Sequence, residues 1–112
     1  KHGLNQRMAV IAGAGKVGVN VAKYLHKNNW IGIQVKGFFD DRLEKGTSVQ
    51  VTDDLGLPVI GTLKECIDYC LEKRPDMLVI TLPMRAEKKI SNLVWNLATK
   101  GINVLLVPDL FI

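Results

Sequence analysis

The apolar run Arg7-Met8-Ala9-Val10-Ile11-Ala12, closed at once by Gly13-Ala14-Gly15-Lys16-Val17-Gly18, constrains this chain more than any other stretch. A run of that length suits a buried strand, and the residues after the glycines place Val17, Val21, Tyr24 and Leu25 at helical spacing. Between a strand and a helix, each glycine of a G-x-G-x-x-G pattern has a mechanical task. Gly13 permits the tight turn, Gly15 lets a backbone approach a pyrophosphate, and Gly18 lets the helix pack closely on the strand. Unpaired N–H groups and the positive dipole end at the helix start would then hold a phosphate. The candidate contacts in this turn are Gly13, Ala14, Gly15, Lys16, Val17 and Gly18. The alternative is a glycine turn kept for packing alone.

The rest of the chain alternates in the same way. Asn28-Asn29 breaks the first helix, and residues 33–39 form a second strand ending at Asp40-Asp41. Residues 42–57 are polar and glycine-containing with only Val49 and Val51 alternating, so they read as a long loop with a short strand or turn inside it. Residues 58–61 read as a short third strand. Thr62 and Glu65 then have the spacing of a capping box, and Leu63, Cys66, Ile67, Cys70 and Leu71 form the apolar stripe of the helix it opens. Residues 77–82 are a continuous apolar run, as a central parallel strand covered on both faces requires, and Pro83 closes it. A third helix over residues 86–100, ended by Gly101, leads to a last strand over residues 102–107. With right-handed crossovers this predicts an α/β, Rossmann-like, three-layer domain with a five-stranded parallel sheet in the order 3-2-1-4-5. Residues 1–112 make one domain without an internal linker.

Asp40, at the end of the second strand, is placed to accept hydrogen bonds from a ribose diol. It follows Gly13 by 27 residues, beyond the usual separation of about 20, an excess that the turn at residues 28–32 absorbs. An exposed turn acid is the competing reading, and Arg42 nearby could instead favour an extra phosphate. Asp41, Thr81 and Pro83 join the candidate contacts because ligands of such sheets bind along the carboxyl edge of the strands. For Thr81 and Asp109 taken singly, an ordinary strand-end polar residue is the favoured reading.

Other features argue against chemistry. Tyr69-x-x-x-Lys73 matches the tyrosine and lysine spacing of short-chain dehydrogenases, but it falls on the helix before the fourth strand, away from the carboxyl edge. His2 and His26 show neither a nucleophile partnership nor ligand spacing to the cysteines. Cys66 and Cys70, four apart on an apolar helical face, read as inert core thiols of a protein in a reducing compartment. No catalytic or metal constellation emerges. The net charge of +4 is spread among eleven acids, and basic residues lie side by side only as the pairs Lys73-Arg74 and Lys88-Lys89, which argues for a solvated surface and against nucleic acid as a partner. No apolar run reaches the roughly 20 residues of a bilayer span. The chain starts without methionine and ends on Leu110-Phe111-Ile112, so a soluble piece of a larger protein is expected, with that apolar end or Trp30 available to a partner or a second copy.

Residues 8–18, Gly37-Phe38-Phe39-Asp40-Asp41, Leu57-Pro58-Val59-Ile60-Gly61, Val79-Ile80-Thr81-Leu82-Pro83 and Val107-Pro108-Asp109-Leu110-Phe111 occur in one order along nearly the whole chain. Together they resemble the CoA-binding-like Rossmann domain of bacterial polyprenyl glycosylphosphotransferases. The resemblance implies a non-catalytic nucleotide or nucleotide-sugar module at the cytoplasmic face of the inner membrane. Its parent would move a sugar-1-phosphate from a UDP-sugar to undecaprenyl phosphate in exopolysaccharide, capsule or O-antigen synthesis. The catalytic residues of that family belong to a separate domain, and the ligand stays open among NAD(P), a UDP-sugar and CoA. Membrane-anchored nucleotide-sugar dehydratases and epimerases are similar up to the Pro-Val-Ile-Gly element. Two alternatives follow: the cofactor module of an NAD-dependent enzyme, or an interaction domain with a vestigial glycine turn.

Overall fold

The computed structural model describes residues 6–109, so His2 and the apolar end Leu110-Phe111-Ile112 lie outside the described residues. Strand β1 (Arg7–Ala12) enters the glycine turn and helix α1 (Lys16–Lys27) leaves it. A short 3-10 turn, Asn29–Ile31, ends at Gly32 in the left-handed region and reverses the chain into β2 (Ile33–Phe39). There follow β3 (Ser48–Thr52), β4 (Leu55–Gly61), α2 (Leu63–Lys73), β5 (Met77–Ile80), α3 (Glu87–Ala98) and β6 (Val104–Leu106).

These strands form one six-stranded sheet in the order β3-β4-β2-β1-β5-β6. Neighbours are parallel except for β3 and β4, which pair antiparallel with Val49 opposite Leu57 and Gln50 opposite Gly56. The expected five-stranded, wholly parallel sheet is therefore corrected to six strands with an antiparallel hairpin at one edge. The missed strand lies in residues 42–57, where Val49 and Val51 alternate on one side of Asp53-Asp54 and Leu55 and Leu57 on the other. That alternation was legible, but Asp53-Asp54 and Gly56 in its midst hid β3 and the first residues of β4, whose part from Pro58 to Gly61 matches the expected third strand. The ends of two other elements also move. The expected helix over residues 86–100 opens with a 3-10 turn, Met84–Ala86, and runs only to Ala98, while the last strand shrinks to three residues.

Side-chain alternation divides the core between the two faces of the sheet. Val10, Ala12, Leu78 and Ile80 point to the face covered by α2 and α3, where Cys66, Cys70, Leu93 and Leu97 complete a buried cluster. Ile11, Val35, Phe38 and Val79 point to the other face, where Ala22 of α1 and Val51 of the hairpin meet them. The hairpin thus takes the place that a second helix would occupy on that face. Cys66 and Cys70 are free thiols with sulfurs 3.9 Å apart, and the hydrogen bond between them and burial push the Cys66 thiol far up.

Helix α2 starts as the sequence predicts. The Glu65 N–H donates to the Thr62 hydroxyl at 3.2 Å, and the Glu65 carboxylate accepts from the Thr62 N–H at 2.9 Å. A second acceptor reaches the same helix end from outside the motif, since the Asp41 carboxylate accepts from the Leu63 N–H at 2.9 Å. Thr62→Ala is expected to lower stability by about 1 kcal/mol, measured as a shift of the urea midpoint. An unchanged midpoint would mean that Asp41 holds this end without help.

Candidate functional site

The site is built where the carboxyl ends of β1, β2 and β5 converge on the first turn of α1. Gly13 has φ +115°, and a Cβ there would come within 2.7 Å of the Thr81 hydroxyl oxygen. Both conformation and space therefore demand glycine. Gly18, on the inner face of α1, lies so close to the Gly13 carbonyl that any side chain would collide with it. Thr81 closes the same junction: its hydroxyl donates to the Gly13 carbonyl at 2.9 Å, with the Ala12 carbonyl at 3.2 Å as a second acceptor. The expectation that Thr81 is an ordinary strand-end polar residue gives way to a buried clasp on the glycine turn. Pro83 lies half-buried just beyond it and opens the 3-10 turn.

Gly15 differs from its two neighbours. Its φ of −82° is open to any residue, and a Cβ there would meet only the Arg42 guanidinium, 3.6 Å away. It is the N-cap of α1, with no side chain capping the helix, and the first helical bond runs from the Val19 N–H to the Gly15 carbonyl. The N–H groups of residues 15–18 thus precede the hydrogen-bonded part of the helix, where the dipole is positive. Lys16 lies exposed on this first turn, with Val17 partly buried beside it.

Asp40 brings the second strand to the turn in a way that spacing alone does not show. It is 3% exposed and accepts four hydrogen bonds. One oxygen takes the Arg42 N–H at 2.9 Å and its Nε at 3.1 Å, and the other takes the Ala14 N–H at 2.8 Å and Arg42 Nη2 at 3.0 Å. A carboxylate has about four acceptor positions, and all are in use. Burial pushes this carboxyl up, but the Arg42 and Ala14 hydrogen bonds outweigh it and hold the group below the usual carboxylate range, while Arg42 is raised in turn. Asp40 is therefore neither a loose turn acid nor an open ribose acceptor. It fastens the glycine turn to the end of β2 and holds a largely exposed guanidinium beside Gly15.

The other candidates separate from this cluster. Asp41 turns to the opposite layer, where it caps α2 and forms an ion pair with Lys89 of α3 at 3.0 Å. Tyr69, partly buried on α2, packs edge-on against Phe39 with ring centroids 5.2 Å apart, and burial raises its phenol; it belongs to the flank of the core under α2 and α3. His26 lies in the last turn of α1, at the far end of the helix from the glycines. Arg42 is the residue beside the glycine turn that the sequence undervalued. Only its position two residues past a strand-end acid marked it.

Because the folded carboxyls of Asp40 and Asp41 lie below their usual values, their contribution is full above the unfolded pKa near 4 and is lost as pH falls through the folded values. Asp40→Asn keeps the Ala14 hydrogen bond and loses the charge-assisted pair with Arg42. It is expected to cost about 1–3 kcal/mol at neutral pH and to flatten the acid limb of a stability profile. A variant with the parent acid limb would assign that limb to other carboxylates.

Residues 1–108 match the model of the CoA-binding domain family. Among curated proteins, the chain is 30% identical over 109 residues to the UDP-glucose:undecaprenyl-phosphate glucose-1-phosphate transferase of Xanthomonas campestris pv. campestris, covering 97% of this chain and 22% of that protein. Enzymes of the same name from Klebsiella pneumoniae and Escherichia coli (strain K12) are 31% and 27% identical, again over 22% of their length. The chain thus spans about a fifth of the curated relatives it matches. Among solved structures, the Rex-family repressor RSP superposes with TM-score 0.66 at 22% identity, over 96% of this chain and 49% of that one. The RSP complex with beta-NADH gives TM-score 0.67 at 20% identity over the same shares. These two likenesses show a shared Rossmann-like fold.

Proposed function

The chain belongs to the CoA-binding domain family, and from that premise we propose that it is the nucleotide- or nucleotide-sugar-binding module of a longer sugar-phosphate transferase. The parent would move a sugar-1-phosphate from a UDP-sugar to undecaprenyl phosphate, with this module on the cytoplasmic side of the bacterial inner membrane. Support for the parent comes from the three transferases that carry a matching segment over 22% of their length. Among the described residues no helix is long and apolar enough to cross a membrane.

Gly15 carries the binding reading. Gly13 and Gly18 are accounted for by their own protein neighbours, whereas nothing among the described residues requires a glycine at residue 15. Its missing side chain leaves backbone N–H groups open to a close-approaching anion, with the Arg42 guanidinium across the opening. A diphosphate placed there would meet the dipole of α1 from below and a cation from the side. Asp40 would serve this ligand by aiming Arg42, because a ribose diol could reach its oxygens only after displacing existing hydrogen bonds. Thr81 and Pro83 would shape the edge of the site on the β5 side. In this reading the module binds and transmits occupancy, and the transfer chemistry belongs to another domain of the parent.

A second reading, a nicotinamide cofactor in the same turn, draws on the fold shared with a repressor whose structure holds beta-NADH. Titration calorimetry with UDP-glucose, NAD, NADH, CoA and ATP separates the two. At least one ligand is expected to bind saturably below millimolar concentration. Gly15→Ala should weaken that binding about tenfold, or roughly 1.4 kcal/mol, while changing stability by no more than about 1 kcal/mol. Gly18→Ala should instead compromise folding. No binding by any of the five, or equal binding by Gly15→Ala, would overturn the proposal.

A further inference from the structure

A parallel sheet normally has both faces covered, and here, among the described residues, one face is covered only in part. Beyond α1, the floor formed by Met77, Val79, Leu105 and Val107 and the wall formed by Val21 and Tyr24 enclose an open, mainly apolar groove of about 920 Å³. Leu105 is 49% exposed and Tyr24 60% exposed, large apolar surface on either side of one channel. The lining of the groove runs along α1 from Lys16 to Leu25, about 14 Å at the rise of a helix. A sheet floor, one helical wall and an open third side leave the space that one more helix would fill, packed beside α1 at the usual 8–10 Å.

We propose that this groove is the docking site of an apolar-faced helix from the parent polypeptide, contributed by the part that lies C-terminal to this domain. The proposal rests on the reading of the chain as one module of a longer transferase. Two observations favour this occupant. Val107, Pro108 and Asp109 line the groove, so the backbone leaves the sheet at its mouth. The curated relatives are several times longer than the matched segment, which leaves ample polypeptide to supply a helix. A tethered segment also binds at an effective millimolar concentration, so a single helix face is enough to hold it. Docking there would lay the covering helix beside Lys16 and Val17 on the first turn of α1. Occupancy of the glycine turn and seating of the helix would then share a wall.

Cysteine labelling tests the proposal in the full-length polypeptide as expressed from its gene and in the 112-residue chain. Cys66 and Cys70 are fully buried and serve as a silent background. Leu105→Cys and Tyr24→Cys report on the two sides of the groove, and Trp95→Cys, 74% exposed on α3, reports on the opposite face. All three should react with a maleimide at similar rates in the 112-residue chain. In the full-length protein the two groove reporters should slow at least tenfold relative to Trp95→Cys, and the protection should survive detergent extraction as a monomer. Equal labelling in both lengths overturns the proposal. So does protection of the 112-residue chain with sedimentation as a dimer, which assigns the groove to a second copy. So does protection lost on extraction, which assigns it to lipid. An immunoblot keeps the two readings distinct. A native product no longer than this chain overturns the transferase reading itself, whereas open groove reporters in a longer product overturn only the docking.

Discussion

Everything at the carboxyl edge of this sheet depends on one close approach, the contact of Gly18 with the Gly13 carbonyl under the Thr81 hydroxyl. Three elements meet there with no room for a side chain: the end of β1, the first turn of α1 and the residue that follows β5. The approach sets the height of α1 over the sheet and hence the burial of Ala22 against Ile11, Val35 and Phe38. It also points the first turn of α1 away from the core. A polar residue at the junction is tolerated because its hydrogen has an acceptor in the turn itself, which is the condition for burying a hydroxyl at little cost.

The electrostatics of the site follow from that placement. A helix start with open N–H groups attracts negative charge, and Asp40 stands beside it, one residue of the turn away. In the folded protein Asp40 is spent on one turn amide, Ala14, and on Arg42. The pair removes the carboxylate as a rival for an incoming anion and leaves a largely exposed guanidinium in its place. Asp41, its neighbour in sequence, faces the other layer and ties α2 to α3 through Leu63 and Lys89. Adjacent acids at a strand end therefore serve opposite faces of the sheet, as the twofold alternation of a strand requires. One fastens the glycine turn, and the other ties the helices of the opposite layer.

The asymmetry of the two sheet faces has the same origin in local chemistry. Between β2 and β4 the chain builds a hairpin, because Val49, Val51, Leu55 and Leu57 alternate with period two and Asp53-Asp54 supplies the turn. The hairpin buries Val51 under α1 but extends the sheet sideways without covering β5 and β6. The face left open beside α1 is apolar because Val79 and Leu105 stand in register with Ile11, on the side of the sheet that α1 covers farther along. The exposure of this face follows from a layer that, among the described residues, α1 and the hairpin fill only in part.

Strand, turn and helix at residues 7–27, the capping box at Thr62 and Glu65, and the buried run of β5 could be read directly from the amino-acid sequence. Each depends on short-range periodicity or on a glycine or hydroxyl acting within a few residues. The α/β class and the glycine turn were determined at that level. The hairpin was only half legible, since alternation interrupted by glycine and proline does not announce a strand until a neighbour supplies the ladder. Long-range contacts decided the rest. Asp40 looked like a ribose acceptor until Ala14 and Arg42 filled its acceptor positions. Thr81 looked incidental until Gly13 came within reach, 68 residues away in sequence. Periodicity is a property of neighbours along the chain, whereas hydrogen-bond saturation and the vacancy beside α1 are properties of neighbours in space, and those exist only once the sheet has closed.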